Sequence, residues 1–233
     1  MCLIPANLQA VQQKILAAAR ACGRSAAEIS LLAVSKTRPA AEVLAAARAG
    51  QRDFGENYAQ EGVDKILALR EMLPETRLVW HFIGPLQGNK TRLVAGHFDW
   101  VHSIERLKIA QRLSEQRPEN LPPLQVLVQV NVSGEASKSG VMPDEAAALC
   151  RAIAALPRAR LVLRGLMCIP APAADEAGQR RPCAQLRALW QSLRQEGLPL
   201  DTLSMGMSGD LAAAIHEGST LVRIGTAIFG ART

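Results

Sequence analysis

Aromatic side chains are scarce in this sequence: three Trp, one Tyr and four Phe make up 3% of its 233 residues. That removes the stacking platform on which single-stranded nucleic acids are held. The net charge of +6 does not restore a nucleic-acid partner, because basic residues such as Arg70, Arg77 and Arg92 are dispersed and no run reaches four. Cysteine is sparse and unpatterned. Cys2, Cys22, Cys150, Cys168 and Cys183 are odd in number and form no C-x-x-C pair, which argues against a disulfide framework and against zinc. His81, His97, His102 and His216 show no metal-ligand spacing either, so no metal site is expected. Long apolar runs are missing: nothing approaches the roughly 18 residues of a membrane span. Lys14 and Arg20 interrupt the N-terminal apolar stretch, so no signal peptide is evident. The expectation is a soluble, cytoplasmic protein with neither a membrane nor a nucleic-acid partner. A small ligand bearing phosphate suits its mildly basic charge better.

What is abundant is aliphatic. Hydrophobic residues reach 48%, mostly Ala, Leu and Val, which suits tight helices laid over a buried sheet. Two periodicities alternate from end to end. A helical stretch from Asn7 to Ala21 is closed by Gly23, and the short apolar run Ser30 to Ser35 follows as a buried parallel strand. Pro39 opens the next helix and Gly50 closes it, the usual asymmetry of helix ends. Further strands are expected at about 52–54, 78–83, 98–102, 124–130, 161–166, 201–205 and 220–225. Helices are expected at 57–72, 105–117, 143–156, 183–196 and 208–217, with the stretch from Pro170 to Glu176 as a surface loop. Eight such units with an extra N-terminal helix, and no linker, fit a single (β/α)8 TIM barrel spanning 1–233 as one domain.

In such a barrel the site is built at the carboxyl ends of the strands. Polar and glycine residues gather at that edge in nearly every unit. Lys36 ends the first strand, where partial desolvation favours the neutral amine that a Schiff base requires. Taken alone, it fits better a surface lysine whose stem lies on apolar neighbours. Ser208 and Gly209 open the helix after strand seven, where free backbone N–H groups favour phosphate, although Ser208 also makes an ordinary N-cap. Gly225 and Thr226, just past strand eight, add a close backbone approach and a hydroxyl. Arg223 lies inside an apolar strand. A buried guanidinium needs partners, either a carboxylate such as Glu217 or a ligand's ring nitrogen or phosphate. An amine, a phosphate cradle and a ring-nitrogen partner together are the equipment for an aldehyde cofactor. One decoy falls away. Gly84 to Thr91 nearly matches a P-loop, but Asn89 replaces the second glycine and Pro85 removes an N–H donor.

Seven segments carry a resemblance: Ala33–Lys36, Phe54–Tyr58, His81–Lys90, Gln129–Asn131 with the Ser137–Gly140 loop, Arg164–Met167, Ser204–Ser208 and Val222–Gly230. Together they run from the first strand to the C-terminus. The chain resembles the pyridoxal phosphate homeostasis proteins. Gly134 and Gly209 stand where other residues are common in that family. The resemblance implies a fold like the N-terminal barrel domain of alanine racemase, with pyridoxal 5′-phosphate held as a Schiff base on Lys36. It places Asn57 and Ile83 near the ring, Ser208, Gly209, Gly225 and Thr226 at the phosphate, and Arg223 at the pyridine nitrogen. His81 is open between a satisfied core histidine and a cofactor contact. The implied function is storage, buffering or delivery of the cofactor by a monomer without catalytic residues, with apo forms of pyridoxal-phosphate enzymes as recipients. The alternative is a racemase-like enzyme. Racemisation needs an acid/base group on each face of the substrate, the sole tyrosine is Tyr58, and the chain stops just after strand eight, so negligible turnover is expected. The loop 133–140 is expected to be mobile, with Lys138 either solvated or reaching over the mouth.

Overall fold

The structure is a computed structural model that describes residues 3–135 and 138–231. Eight strands close into a parallel barrel in chain order. They are β1 (Ser30–Val34), β2 (Asp53–Glu56), β3 (Val79–Phe82), β4 (Trp100–Ile104), β5 (Leu124–Gln129), β6 (Leu161–Met167), β7 (Thr202–Ser204) and β8 (Leu221–Ile224). β1 closes on β8 through Ser30–Leu221 to Ala33–Ile224, which brings the first and last loops of the mouth together. The helices are α1 (Ile4–Ala21), α2 (Ala40–Arg48), α3 (Ala59–Met72), α4 (Thr91–His97), α5 (Leu107–Gln116), α6 (Pro143–Ala154), α7 (Glu176–Gln195), α8 (Leu211–His216) and α9 (Thr226–Phe229). The TIM-barrel expectation therefore holds.

Side chains of each strand alternate between the barrel interior and the helical shell. On β2 the alternation decides the site: Asp53 and Gly55 face inward, while Phe54 packs against Trp80 in the shell and Glu56 meets α3. Gly165 on β6 permits the closest strand approach, since a Cβ there would lie 1.8 Å from the Thr202 carbonyl oxygen.

Helix α1 braces the last two units. Ile4, Leu8, Val11, Ile15 and Ala19 form its buried stripe, at the spacing of one helical face. The helix packs on α8 and α9. Asn7 donates its side-chain N–H to the Ile228 carbonyl at 2.9 Å. Arg24, just past its end, donates to the Ile215 and Ser219 carbonyls, both at 2.8 Å. The extra helix thus ties down the segments that follow β7 and β8, the two expected to carry phosphate.

Two helix starts differ from the sequence reading. α7 begins at Glu176, not near 183, because Asp175 caps it by accepting the Gly178 N–H at 2.6 Å. Pro182 in its second turn costs one backbone bond without ending the helix. α8 begins at Leu211, not at Ser208. Asp210 accepts the Met207 N–H at 2.7 Å and folds 207–210 into a turn. Ser208 and Gly209 therefore stand in that turn rather than opening a helix. After β8, where no helix was evident, Gly225 caps the short α9. The four described cysteines Cys22, Cys150, Cys168 and Cys183 are free, Cys2 lying outside the described residues. Among the described residues, no cluster that could hold a metal and no helix long and apolar enough to cross a membrane is present.

Candidate functional site

The carboxyl ends of the strands surround a cavity of about 350 Å³, within the range of small-molecule sites. All eight residues named from the sequence line it: Lys36, Asn57, Ile83, Ser208, Gly209, Arg223, Gly225 and Thr226. Ser208, Gly209 and Thr226 form an exposed polar lip, while Ile83 and Lys36 are half-buried and Arg223 is buried. The sequence reading missed Arg38, which also lines the cavity and donates to the Gly230 and Ala231 carbonyls. Its only signal was its place two residues after Lys36. Ile169 and Met207 complete an apolar wall. Among the described residues, every charged side chain of the lining is basic.

Lys36 owes its position to a buried polar cluster that the sequence did not reveal. A turn is closed by the Arg38 N–H donating to the Ser35 carbonyl at 3.0 Å. Thr37 holds φ +62° within it, an uncommon conformation for a branched residue and a source of strain. Two groups hold the turn in place. The Lys65 ammonium, on α3, donates to the Ser35 carbonyl (2.7 Å), to Glu56 (2.8 Å) and to Glu61 (2.6 Å). Glu61 in turn accepts the Thr37 N–H at 2.6 Å. Residues on both sides of Lys36 are thereby fixed from beneath.

Burial pushes the Glu56 carboxyl above the usual carboxylate range, against the opposing pull of Lys65 and of the Ser35 hydroxyl. A raised folded-state pKa means that the stability from this group is fully present below the ordinary value. It is lost as pH rises through the raised one. Replacing Lys65 by Met removes the opposing pull and leaves a buried carboxylate without its cation. The expected destabilisation is about 3–5 kcal/mol at neutral pH. It should shrink as pH is lowered and the carboxyl takes up a proton. Denaturant midpoints from neutral to acidic pH check this; a penalty independent of pH would contradict it.

Glycines shape the remaining wall. A Cβ on Gly84 would sit 2.2 Å from the Asn57 carbonyl oxygen, so Gly84 is what allows Asn57 to lie beside the segment after β3. Gly206, at φ +96°, would meet the Ala214 side chain at 2.6 Å, and it directs the 207–209 turn over the mouth. Gly225 packs against Val34. Gly209 differs: a Cβ there meets nothing within 4 Å, so the protein itself does not demand glycine at that position.

Arg223 reaches from β8 to β7 and the end of β6. One terminal nitrogen donates to the Ser204 carbonyl (2.6 Å) and hydroxyl (2.7 Å), the other to the Cys168 carbonyl at 2.7 Å. Glu217, the carboxylate considered as its partner, is instead paired with Arg180 at 2.7 Å and Arg187 at 3.0 Å. Burial lowers the Arg223 pKa from its ordinary value, yet a guanidinium stays charged near neutrality. His81 is not among the lining residues. It lies one layer deeper, hydrogen-bonded to His102 and Asp53. The P-loop-like segment takes no part either, as Thr91 spends its hydroxyl on the Gly88 carbonyl at 2.8 Å. Lys138 reaches the carbonyl of the rim residue Ile169 at 3.5 Å. In the loop 133–140, Ala136 and Ser137 lie outside the described residues. Its neighbouring part is tied by polar bonds, Asn131 donating to the Glu135 and Lys138 carbonyls.

The family description "alanine racemase, N-terminal domain" matches residues 6–233. A relative from Pseudomonas aeruginosa, named pyridoxal phosphate homeostasis protein, is 60% identical, covering 100% of this chain and 97% of its own. The chain belongs to the pyridoxal phosphate homeostasis protein family. A second relative of that name, from Vibrio cholerae, is 58% identical over 98% of this chain and 96% of its own. Among solved structures, PipY of Synechococcus elongatus with pyridoxal phosphate bound superposes with a TM-score of 0.78 at 34% identity. That match covers 94% of this chain and 100% of PipY.

Proposed function

We propose that this protein serves intracellular pyridoxal 5′-phosphate homeostasis by storing, buffering or delivering the cofactor, which it holds as a Schiff base on Lys36. The observation that carries the reading is the convergence of one amine, two guanidinium groups and a polar lip on a single cavity. The cavity suits the group. The lip offers the hydroxyls of Ser208 and Thr226 and the backbone N–H groups of Thr226 and Ala227, which open α9. Asn57 keeps a buried side-chain oxygen without a hydrogen-bond partner among the described residues. Its amide can present a donor or an acceptor to a ring substituent. When bound, pyridoxal phosphate supplies an electrophilic carbon for an amine and an electron-withdrawing ring.

In this reading the chain's own groups bind and orient. Lys36 attaches covalently, Ile83 packs on the ring, and Ser208, Gly209, Gly225 and Thr226 hold the phosphate. Arg223 faces the pyridine nitrogen and keeps it unprotonated, since two adjacent cations are unfavourable. Residues 1–233 act as one cofactor-binding unit, and a monomer suffices because one chain supplies every group named. The same site argues for a carrier without catalytic residues. Among the described residues lining the cavity, Lys36 is the only amine, and no carboxylate, imidazole, thiol or phenol joins it. Tyr58 is 58% exposed and outside the lining. A two-base reaction has no second base there.

The test is transfer. Mixed with an apo-enzyme that requires pyridoxal phosphate, the loaded protein should restore activity faster than it releases cofactor into buffer. The same preparation should leave alanine and serine unchanged. Steady turnover of either amino acid would overturn the carrier reading, and transfer no faster than release would leave storage and buffering in place of delivery.

A further inference from the structure

The barrel interior beneath the cavity holds a continuous line of polar groups. Arg223 donates to the Ser204 hydroxyl at 2.7 Å. That hydroxyl lies 3.0 Å from His102 Nδ1, and His102 Nε2 lies 2.9 Å from His81 Nδ1. His81 Nε2 ends 3.1 Å from the Asp53 carboxylate, at the opposite mouth of the barrel from the cavity. Both imidazoles, Ser204 and Arg223 are buried, whereas the Asp53 side chain is 34% exposed. His81 is also stacked on Trp100, at 5.4 Å and 11°, which fixes the plane of its ring.

A guanidinium only donates and an ionised carboxylate only accepts, whereas a hydroxyl can accept twice, so the line has a single sense only when both imidazoles are neutral. In that state His81 carries its proton on Nε2, facing Asp53, and accepts on Nδ1 from His102 Nε2. His102 Nδ1 then accepts the single hydrogen of Ser204, which receives from Arg223. Each tautomer is set by its neighbour. Burial, followed by the proximity of His81 and Arg223, holds the His102 pKa well below the ordinary imidazole value, in keeping with neutrality.

We propose that Asp53, His81, His102 and Ser204 form a one-directional hydrogen-bond relay through the barrel that positions Arg223 at the cavity floor. Asp53 is then a positioning residue for a site at the other end of the strands. Without its acceptor the two imidazoles lose their fixed tautomers. The Ser204 hydrogen is then free to turn towards Arg223, setting donor against donor and displacing the guanidinium. The effect on the cofactor rests on the proposed function; the relay itself does not.

The experiment reads the histidines in the cofactor-free protein. Two-bond 1H–15N correlation spectra at neutral pH should show His81 and His102 both neutral and both protonated on Nε2. Asp53→Ala should mix the His81 and His102 tautomers. In the loaded protein it should shift the absorption band of bound cofactor and speed its release by roughly two- to thirtyfold, the span of couplings carried through such networks. Asp53→Asn offers a carbonyl acceptor at the same reach and should restore the wild-type tautomers. A wild-type His81 or His102 protonated on Nδ1, or doubly protonated, overturns the relay without any variant. An Asp53→Ala protein with unchanged His102 resonances and release rate overturns it as well. Failure of the protein to bind the cofactor would strike the proposed function and leave the tautomer result standing.

Discussion

Lys36→Ala is expected to abolish the covalent complex while leaving the fold intact. Treated with borohydride in the presence of pyridoxal phosphate, the variant should retain no adduct at the barrel mouth. The side chain is half-buried at the end of a turn held by backbone and cluster bonds. The backbone and cluster bonds of that turn do not run through the Lys36 side chain, so the fold should survive its truncation. Binding should weaken without vanishing, because the lip of Ser208, Thr226 and the first N–H groups of α9 still complements a phosphate. Equilibrium dialysis separates the two contributions. An equally stable covalent adduct on another lysine of the variant would show that the assignment of Lys36 is wrong.

The second large effect belongs to Arg223. Its guanidinium satisfies the Ser204 and Cys168 carbonyls inside the barrel. Arg223→Ala takes the donor from the Cys168 carbonyl, leaves the Ser204 carbonyl with only the Cys168 N–H at 3.3 Å, and opens a void beside them. An orphaned acceptor costs about 1–3 kcal/mol and the void adds to it, so a total loss on the order of 2–4 kcal/mol is expected, seen as a lowered denaturant midpoint. Arg223→Lys keeps the charge but not the two-pronged geometry, and should recover only part of that stability. In both variants the bound cofactor should absorb at a changed wavelength, since the group proposed to face its ring nitrogen has changed. A full-strength Arg223→Ala protein with an unaltered spectrum would place Arg223 outside the site.

Much of this was legible from residue order. Short apolar runs alternating with helical periods marked seven of the eight strands, because a parallel barrel buries both faces of each strand and leaves a continuous hydrophobic signal, while the second, at Arg52–Phe54, followed from the spacing of the units. The cavity lining was legible for a related reason: a barrel brings the residues after every strand to one rim, so Lys36, Asn57, Ser208 and Thr226 could be collected without knowing any distance. What escaped was set by single local bonds or by contacts between distant units. The Asp175 and Asp210 side chains moved two helix starts by accepting one N–H each, and a proline inside α7 imitated a boundary. The Lys65–Glu56–Glu61 cluster pairs the outer face of β2 with α3. In sequence it reads as three ordinary surface charges. The line from Arg223 to Asp53 joins five strands, and no spacing announces it. Arg38 was passed over because an arginine after a strand end is unremarkable until Gly230 and Ala231 are seen to fold back onto it.

The proposed chemistry of the site rests on one covalent bond, between Lys36 and the cofactor, and that bond can be read directly. The wild-type protein, loaded with pyridoxal phosphate and reduced with borohydride, should gain the mass of a single reduced cofactor. Proteolysis should then place that mass on the peptide containing Lys36, with cleavage after Lys36 blocked. A protein that gains no mass, or carries it on Lys65, Lys138 or any other lysine, would contradict the account.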